Sequence, residues 1–362
     1  MKSLFSNPIL STLTLRDTNN YPMVHVINYK DSGFALISGN KNSFPVLGYS
    51  EHGIFNIDSL PPGFSCWLSD KLYQTEFSRK NITNRTILYN ALWNEYESSL
   101  SGSDDSVNED DTEDHDGHSF DVPESDGGFG NATTTTVLKR KYPASNFIET
   151  AMWNQQGGAN NDGYRFNSFT PLIDGKQTLV GCVPLAGGIA MRYWKWPSSF
   201  NWDDMPIDNT ASYYTAMLLG PSNLGNLPNI EYGLASGNGT LADVSELRNV
   251  LVNRYNYSSD AVYEDINNED IMSDLSKNYI VIMNGWKVRI HPTLFRHTSY
   301  QDGHCWIVDA GEEFKTYIGD ATPFLTYTYH MNWGWGGALN GWFNMDSDYG
   351  NVSIANNISI PI

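Results

Sequence analysis

The sequence predicts an α+β protein built as two units on either side of an acidic tether, and three observations carry that prediction. From Ser101 to Asp126 there are eleven Asp or Glu residues and no Lys or Arg. Such a stretch repels itself and has little apolar area to bury, so it reads as a disordered linker. Short β-rich runs precede two helical patterns before it. After it the order is helices early and strands late. A length of 362 residues fits about two domains of ~150 residues each.

In the first unit, Met23–Tyr29 and Gly33–Ser38 are rich in β-formers, and Asp31-Ser32-Gly33 supplies turn chemistry, so a hairpin is expected. Pro45–Tyr49 and Ile54–Ile57 read as further short strands. Leu60-Pro61-Pro62-Gly63 leads into a helix near Phe64–Tyr73, with another near Thr86–Tyr96. Within the acidic stretch, alignment on Gly117 puts Thr112 and Pro123 at the first and twelfth positions of a calcium loop, so that pattern fails. His115 and His118 have metal-ligand spacing, but the solvated linker is the preferred reading.

The net charge of −19 repels phosphate backbones and argues against a nucleic-acid partner. No apolar run approaches the ~20 residues of a membrane span. Met1–Phe5 begins like a signal peptide, and Ser6-Asn7-Pro8 breaks it. Either the protein is intracellular, or a leader was removed and a start Met supplied. The three cysteines, Cys66, Cys182 and Cys305, form no closed disulfide framework and no metal knuckle.

Gly181–Trp194 reads as a helix, with Pro184 tolerable only in its first turn. Cys182 then stands at the helix N-terminus, where amide N–H groups favour a thiolate. Gly187 and Gly188 imply close packing. Position alone leaves two readings of Cys182, nucleophile or small buried filler. Gly303–Ala310 reads as a strand with His304, Trp306 and Val308 on one face and Cys305, Ile307 and Asp309 on the other. His304 is a candidate base or an ordinary strand residue, and Cys305 a core filler. His330–Gly337 reads either as an aromatic-rich turn that simply joins two strands, the reading pattern alone favours, or as one in which Asn332 orients His304 and Trp333 shields that bond from water. Gln155 is either a solvated polar residue or a donor to an oxyanion beside the Cys182 amide.

The order Gln155, Cys182, His304, Asn332-Trp333 resembles the streptopain-type branch of the papain-like cysteine peptidases. That family's W-N-Q, G-C-V, G-H-A-x-V-I-D and N-W-G-W-G-G segments correspond to Trp153–Gln155, Gly181–Val183, Gly303–Asp309 and Asn332–Gly337. Asn201–Pro206 and the helix at Ser245–Tyr257 are similar to it as well. Gly33–Ser38, Pro45–Ser50 and Leu60–Leu68 resemble its propeptide. The chain departs from the pattern at Pro184, Ile189 and Cys305, and in a long basic, aromatic segment at Trp286–Gln301.

The resemblance implies a papain-like catalytic domain, a helical part plus an antiparallel sheet or barrel, behind a small α+β prodomain. The expected division is an inhibitory prodomain at 1–100, an acidic linker with the activation site at 101–138, and the catalytic domain at 139–362. It implies a secreted, cell-surface or periplasmic cysteine endopeptidase made as a zymogen. Cys182 would be the nucleophile, His304 the base, Gln155 the oxyanion donor, Asn332 and Trp333 supporting residues, and Gly303 a substrate-binding position. Peptide or protein substrates and the chain's own prodomain are the expected partners, with no cofactor and no metal. Activation is expected between about Gly127 and Ser145, with Lys139 in the basic Leu138–Lys141 cluster as one position. The alternatives are a catalytically silent binding or inhibitor protein on the same scaffold, and transfer of the acyl group to an amine.

Overall fold

The computed structural model describes residues 7–101, 134–158, 163–291, 297–346 and 354–359. The acidic tether and the His115/His118 pair therefore lie outside the described residues, apart from Ser101. The first unit opens with β1 (Ile9–Arg16), β2 (Pro22–Tyr29), β3 (Phe34–Ser38) and β4 (Val46–Ser50). β2 and β3 are the expected hairpin, paired from Val24↔Ser38 to Asn28↔Phe34. Residues 54–57 are not a strand: Asn56 caps a short 3-10 turn at Ile57–Ser59 by accepting from the Asp58 amide. Asn28 accepts from the Phe55 amide there, so the segment's hydrogen bonds go to side chains instead of a ladder. β1, which no sequence signal had singled out, covers the outer edge of β2.

Two helices follow, α1 (Pro62–Lys80) and α2 (Thr86–Ser101). α1 starts on Pro62, whose missing N–H costs nothing in a first turn. Phe64, Trp67 and Leu68 recur at i, i+3 and i+4, and all three are buried.

The second unit supplies β5 (Thr134–Tyr142), the small hairpin β6 (Leu172–Ile173) and β7 (Lys176–Gln177), and α3 (Cys182–Trp194). Then come α4 (Tyr213–Leu219), α5 (Val244–Tyr255), β8 (Tyr263–Asp265) and α6 (Asn268–Ser276). The strands β9 (Val281–His291), β10 (His297–Ile318), β11 (Phe324–Asn332), β12 (Gly341–Asn344) and β13 (Ile354–Ser359) complete it.

All strands except β6 and β7 join one sheet, ordered β1-β2-β3-β4-β12-β11-β10-β9-β13-β8, with β5 also paired to β10. The two units thus share a sheet through β4 and β12, where Tyr49 faces Trp342 and Gly48 faces Phe343. One face carries α3 and a core of Val183, Ala186, Ile189, Ile282, Cys305 and Ile307. The other carries α1, with Phe64, Trp67, Met283, Trp306, Val308 and Trp333 in one cluster. Strand alternation sorts β10 between these two cores.

β5 runs across the expected boundary at 138. Residues 134–142 pair with β10 from Ile318↔Thr134 to Gly311↔Tyr142. Arg140 forms ion pairs with Glu313 and, at 2.8 Å, with Glu269. Lys141 pairs with Glu312 at 2.8 Å. The basic cluster is therefore held in a ladder opposite acidic residues, and Lys139 sits inside a strand.

Candidate active site

The N-terminus of α3 is built around Gly181, whose φ of 93° is a conformation L side chains rarely adopt. A Cβ there would also stand 2.9 Å from Thr240 Cγ2. Pro184 falls in the first turn, as its missing N–H requires. Gly187 and Gly188 fulfil the packing expectation, since an added Cβ would meet Leu247 at 2.6 Å and Leu219 at 2.5 Å.

Burial pushes the Cys182 thiol up to about 11, against backbone hydrogen bonds from Cys305, Cys182 and Val183 that favour the thiolate. The helix terminus therefore solvates the sulfur without being enough to ionise it at neutral pH. Cys305 is buried beneath it, with its own thiol pushed well above the ordinary range, first by burial and then by the Cys182 charge.

The other segments close around this point. Val180 N–H donates to Gln155 O at 3.1 Å, which ties the Trp153–Gln155 segment to the residues just before the cysteine. Gly336 N–H donates to Trp153 O at 2.9 Å, adding the Asn332–Gly337 turn. Gln155 is buried, not the solvated polar residue of the alternative reading. Asn332, also buried, donates from Nδ2 to Thr150 Oγ1 and Ala151 O, both at 3.0 Å. Its Oδ1 accepts from the Gly334 amide at 3.1 Å.

His304 lies elsewhere. Its ring faces α1 of the first unit, with Cδ2 2.8 Å from where a Cβ on Gly63 would stand. Trp333 and Trp306 crowd the same point at 3.0 and 3.2 Å. Trp333 meets Phe64 edge-on and Trp306 at a tilt, at centroid distances of 5.6 and 5.4 Å. The structure brings the four segments together but leaves the thiol and the imidazole on opposite faces of β10. Gly303 is exposed beside Trp286, whose Nε1 is 2.6 Å from its Cβ position. Among the described residues no helix is long and apolar enough to cross a membrane, and no group of three or more His, Cys, Asp or Glu could hold a metal ion.

Sequence reasoning did not see a buried polar chain behind Asn332. Asp309 Oδ2 accepts from Thr150 Oγ1 at 2.7 Å, and Asp309 Oδ1 lies 2.5 Å from His330 Nδ1. The only hint in the sequence was that Asp309 lies within a motif segment and His330 two residues before another.

Residues 5–77 match the family model for the Spi protease inhibitor, and residues 198–343 match that of the Peptidase C10 family. The second span includes His304 and Asn332-Trp333; Cys182 and Gln155 precede it. The thiol protease/hemagglutinin PrtT of Porphyromonas gingivalis is 28% identical over 208 residues, 51% of this chain and 22% of that protein. Streptopain of Streptococcus pyogenes is 20% identical over 375 residues, 90% of this chain and 74% of streptopain. A mutant prointerpain A fragment from Prevotella intermedia superposes with a TM-score of 0.55 at 17% identity, over 96% of this chain and 97% of the fragment. That likeness gives a shared fold, and the α+β architecture expected from the sequence is the one found. The chain therefore joins a Spi protease inhibitor domain to a Peptidase C10 family domain, the make-up of a streptopain-like cysteine peptidase proenzyme.

Proposed function

We propose that this chain is the zymogen of a cysteine endopeptidase in which Cys182 is the nucleophile and His304 its base, held apart by the first unit. The observation that carries the reading is the seating of the His304 ring against Gly63 of α1 while the Cys182 thiol waits, protonated, on the far face of β10. Removing α1 uncovers His304, which turns to the α3 face and takes the Cys182 proton. The resulting thiolate–imidazolium pair attacks a peptide carbonyl. The oxyanion is held by the Gln155 side chain and the Cys182 amide. His304 then protonates the leaving amine, and water, activated by His304, releases the acyl group and restores the thiol. Asn332 orients the imidazole, Trp333 covers that contact, and Gly303, exposed beside His304, lines the substrate cleft.

The substrates are peptides or proteins, and the first unit acts as an intramolecular inhibitor. We place the enzyme outside the cytoplasm, secreted or at the cell surface or periplasm, in keeping with a relative whose name pairs thiol protease with hemagglutinin. The inhibitory unit runs to about residue 100. The peptidase unit begins at β5, so activation cleaves before Thr134 and not after Lys139. A peptide bond inside a paired strand is poorly accessible to a protease until the ladder opens.

The test is incubation of the full chain with a thiol reductant, wild type beside Cys182→Ala, followed by intact mass and N-terminal sequencing. Conversion in wild type only, to a species beginning at or before Thr134, is the expected result. A wild-type chain that stays whole, and remains inert to peptides after its tether is cut with trypsin, overturns the reading in favour of a silent binding protein.

A further inference from the structure

The polar chain behind Asn332 is directional. Asn332 spends both Nδ2 hydrogens, one on Ala151 O and one on Thr150 Oγ1, each at 3.0 Å. The Thr150 hydroxyl has a single proton, and it goes to Asp309 Oδ2 at 2.7 Å. Its lone pair is therefore what receives the Asn332 N–H. The other carboxylate oxygen meets His330 Nδ1 at 2.5 Å. A break in register between Val308 and Ala310 leaves Asp309 without a partner on β11, and the bulge aims its carboxylate at His330 and Thr150. Phe147 stacks on the His330 ring at 4.1 Å, and Ile148 N–H donates to Asp309 O at 3.0 Å. Thr150, Asp309, His330 and Asn332 are all buried, so the chain works in a low dielectric, where successive hydrogen bonds strengthen one another.

What emerges at the far end is the Asn332 amide with its nitrogen side fully used. Oδ1 accepts from Gly334 N–H and keeps one lone pair. We propose that Thr150, backed by Asp309 and His330, is a positioning residue that holds and polarises the Asn332 amide so that Oδ1 is presented to the His304 imidazolium of the working enzyme. This rests on the assignment of His304 as base. It gives a role to Thr150, which belongs to none of the recognised segments. It also makes Phe147–Ala151, the stretch just after β5, part of the machinery.

The experiment uses the full chain carried through processing, with Thr150→Val, which keeps the shape and loses the hydroxyl, beside Thr150→Ser, which keeps the hydroxyl. The expected result for Thr150→Val is a fall in kcat of about tenfold with KM within about twofold. The alkaline limb of its kcat/KM profile moves to lower pH, because the imidazolium has lost part of its acceptor. Thr150→Ser keeps wild-type kcat and profile. If Thr150→Val does not fold, Asp309→Asn decides: a limb shift of the same sign supports the proposal, and an unmoved limb overturns it. An unchanged kcat and limb in Thr150→Val, or a Thr150→Ser variant as impaired as Thr150→Val, also overturns it. His304→Ala is run in parallel: if it keeps activity, the assignment of the base has failed, and if it is dead while Thr150→Val is normal, only the positioning role has.

Discussion

The two faces of β10 behave as different proteins would. On one, Cys305 and Ile307 pack under α3, and Cys182, its helix terminus and the Gln155 segment are held together. On the other, His304 and Trp306 face Gly63 of α1, and Trp306 joins a cluster with Phe64 and Trp67 of the first unit. A strand carries neighbouring residues to opposite sides, so one residue of β10 separates the two halves of the proposed site. A zymogen of the kind proposed needs no distortion of Cys182. Its inhibitor only has to give the base a better place to be.

The comparison breaks most completely by removing either half. Cys182→Ala or His304→Ala in the processed enzyme lowers kcat/KM for a peptide substrate by at least about a thousandfold. A retained activity in either variant, measured with a fluorogenic peptide, removes that residue from the mechanism.

Next in size is Gly63. A side chain there collides with His304, Trp333 and Trp306, all within 3.2 Å of the Cβ position. Overpacking of this kind costs about 1–3 kcal/mol, so Gly63→Leu loosens α1. It raises Cys182 alkylation in the uncleaved chain about 10- to 100-fold, read by mass after iodoacetamide. An unchanged rate means α1 does not govern the base.

A smaller effect is expected at the rim of the same contact. Arg85 pairs with Asp346 at 2.5 Å, and Lys71 Nζ donates to the Asp346 carbonyl at 2.7 Å. Arg85→Ala leaves the buried lysine contact in place and raises uncleaved-chain alkylation only about two- to tenfold.

Smaller still is Arg140→Ala. It breaks the pairs that hold β5 to Glu313 and Glu269, costs about 1 kcal/mol and lowers the melting midpoint of the processed enzyme by about 2–4 °C.

Much of the candidate site was legible in the sequence because its signals are local. Gly181-Cys182-Val183-Pro184 writes a helix start, and the four segments announce one another by order. The alternation along Gly303–Asp309 was also readable, including the opposition of His304 and Cys305. What no local pattern could say is which face α3 would take and which α1, since that depends on packing between residues more than a hundred positions apart. β5 was missed for a different reason. Its Thr-Thr-Thr-Val run carries β propensity, but the adjoining acidic stretch and basic cluster made a tether the simpler reading. The Glu312 and Glu313 side chains that answer Arg140 and Lys141 lie on another strand. In the sequence His330 opened an aromatic-rich turn and Asp309 closed a strand, and only a bulge and Thr150 bring them together.

The central claim is that the first unit keeps base and nucleophile on opposite sides of one strand. It is tested most directly by the pH dependence of Cys182 alkylation, measured from about pH 5 to 9 before and after processing. In the full chain, a thiol pushed up to about 11 by burial reacts slowly at neutral pH and faster as pH rises, because only the thiolate is nucleophilic. After processing, the account predicts rapid alkylation already at mildly acidic pH, and a return to the slow alkaline profile in His304→Ala. The same slow, alkaline-rising profile before and after processing in wild type would contradict it.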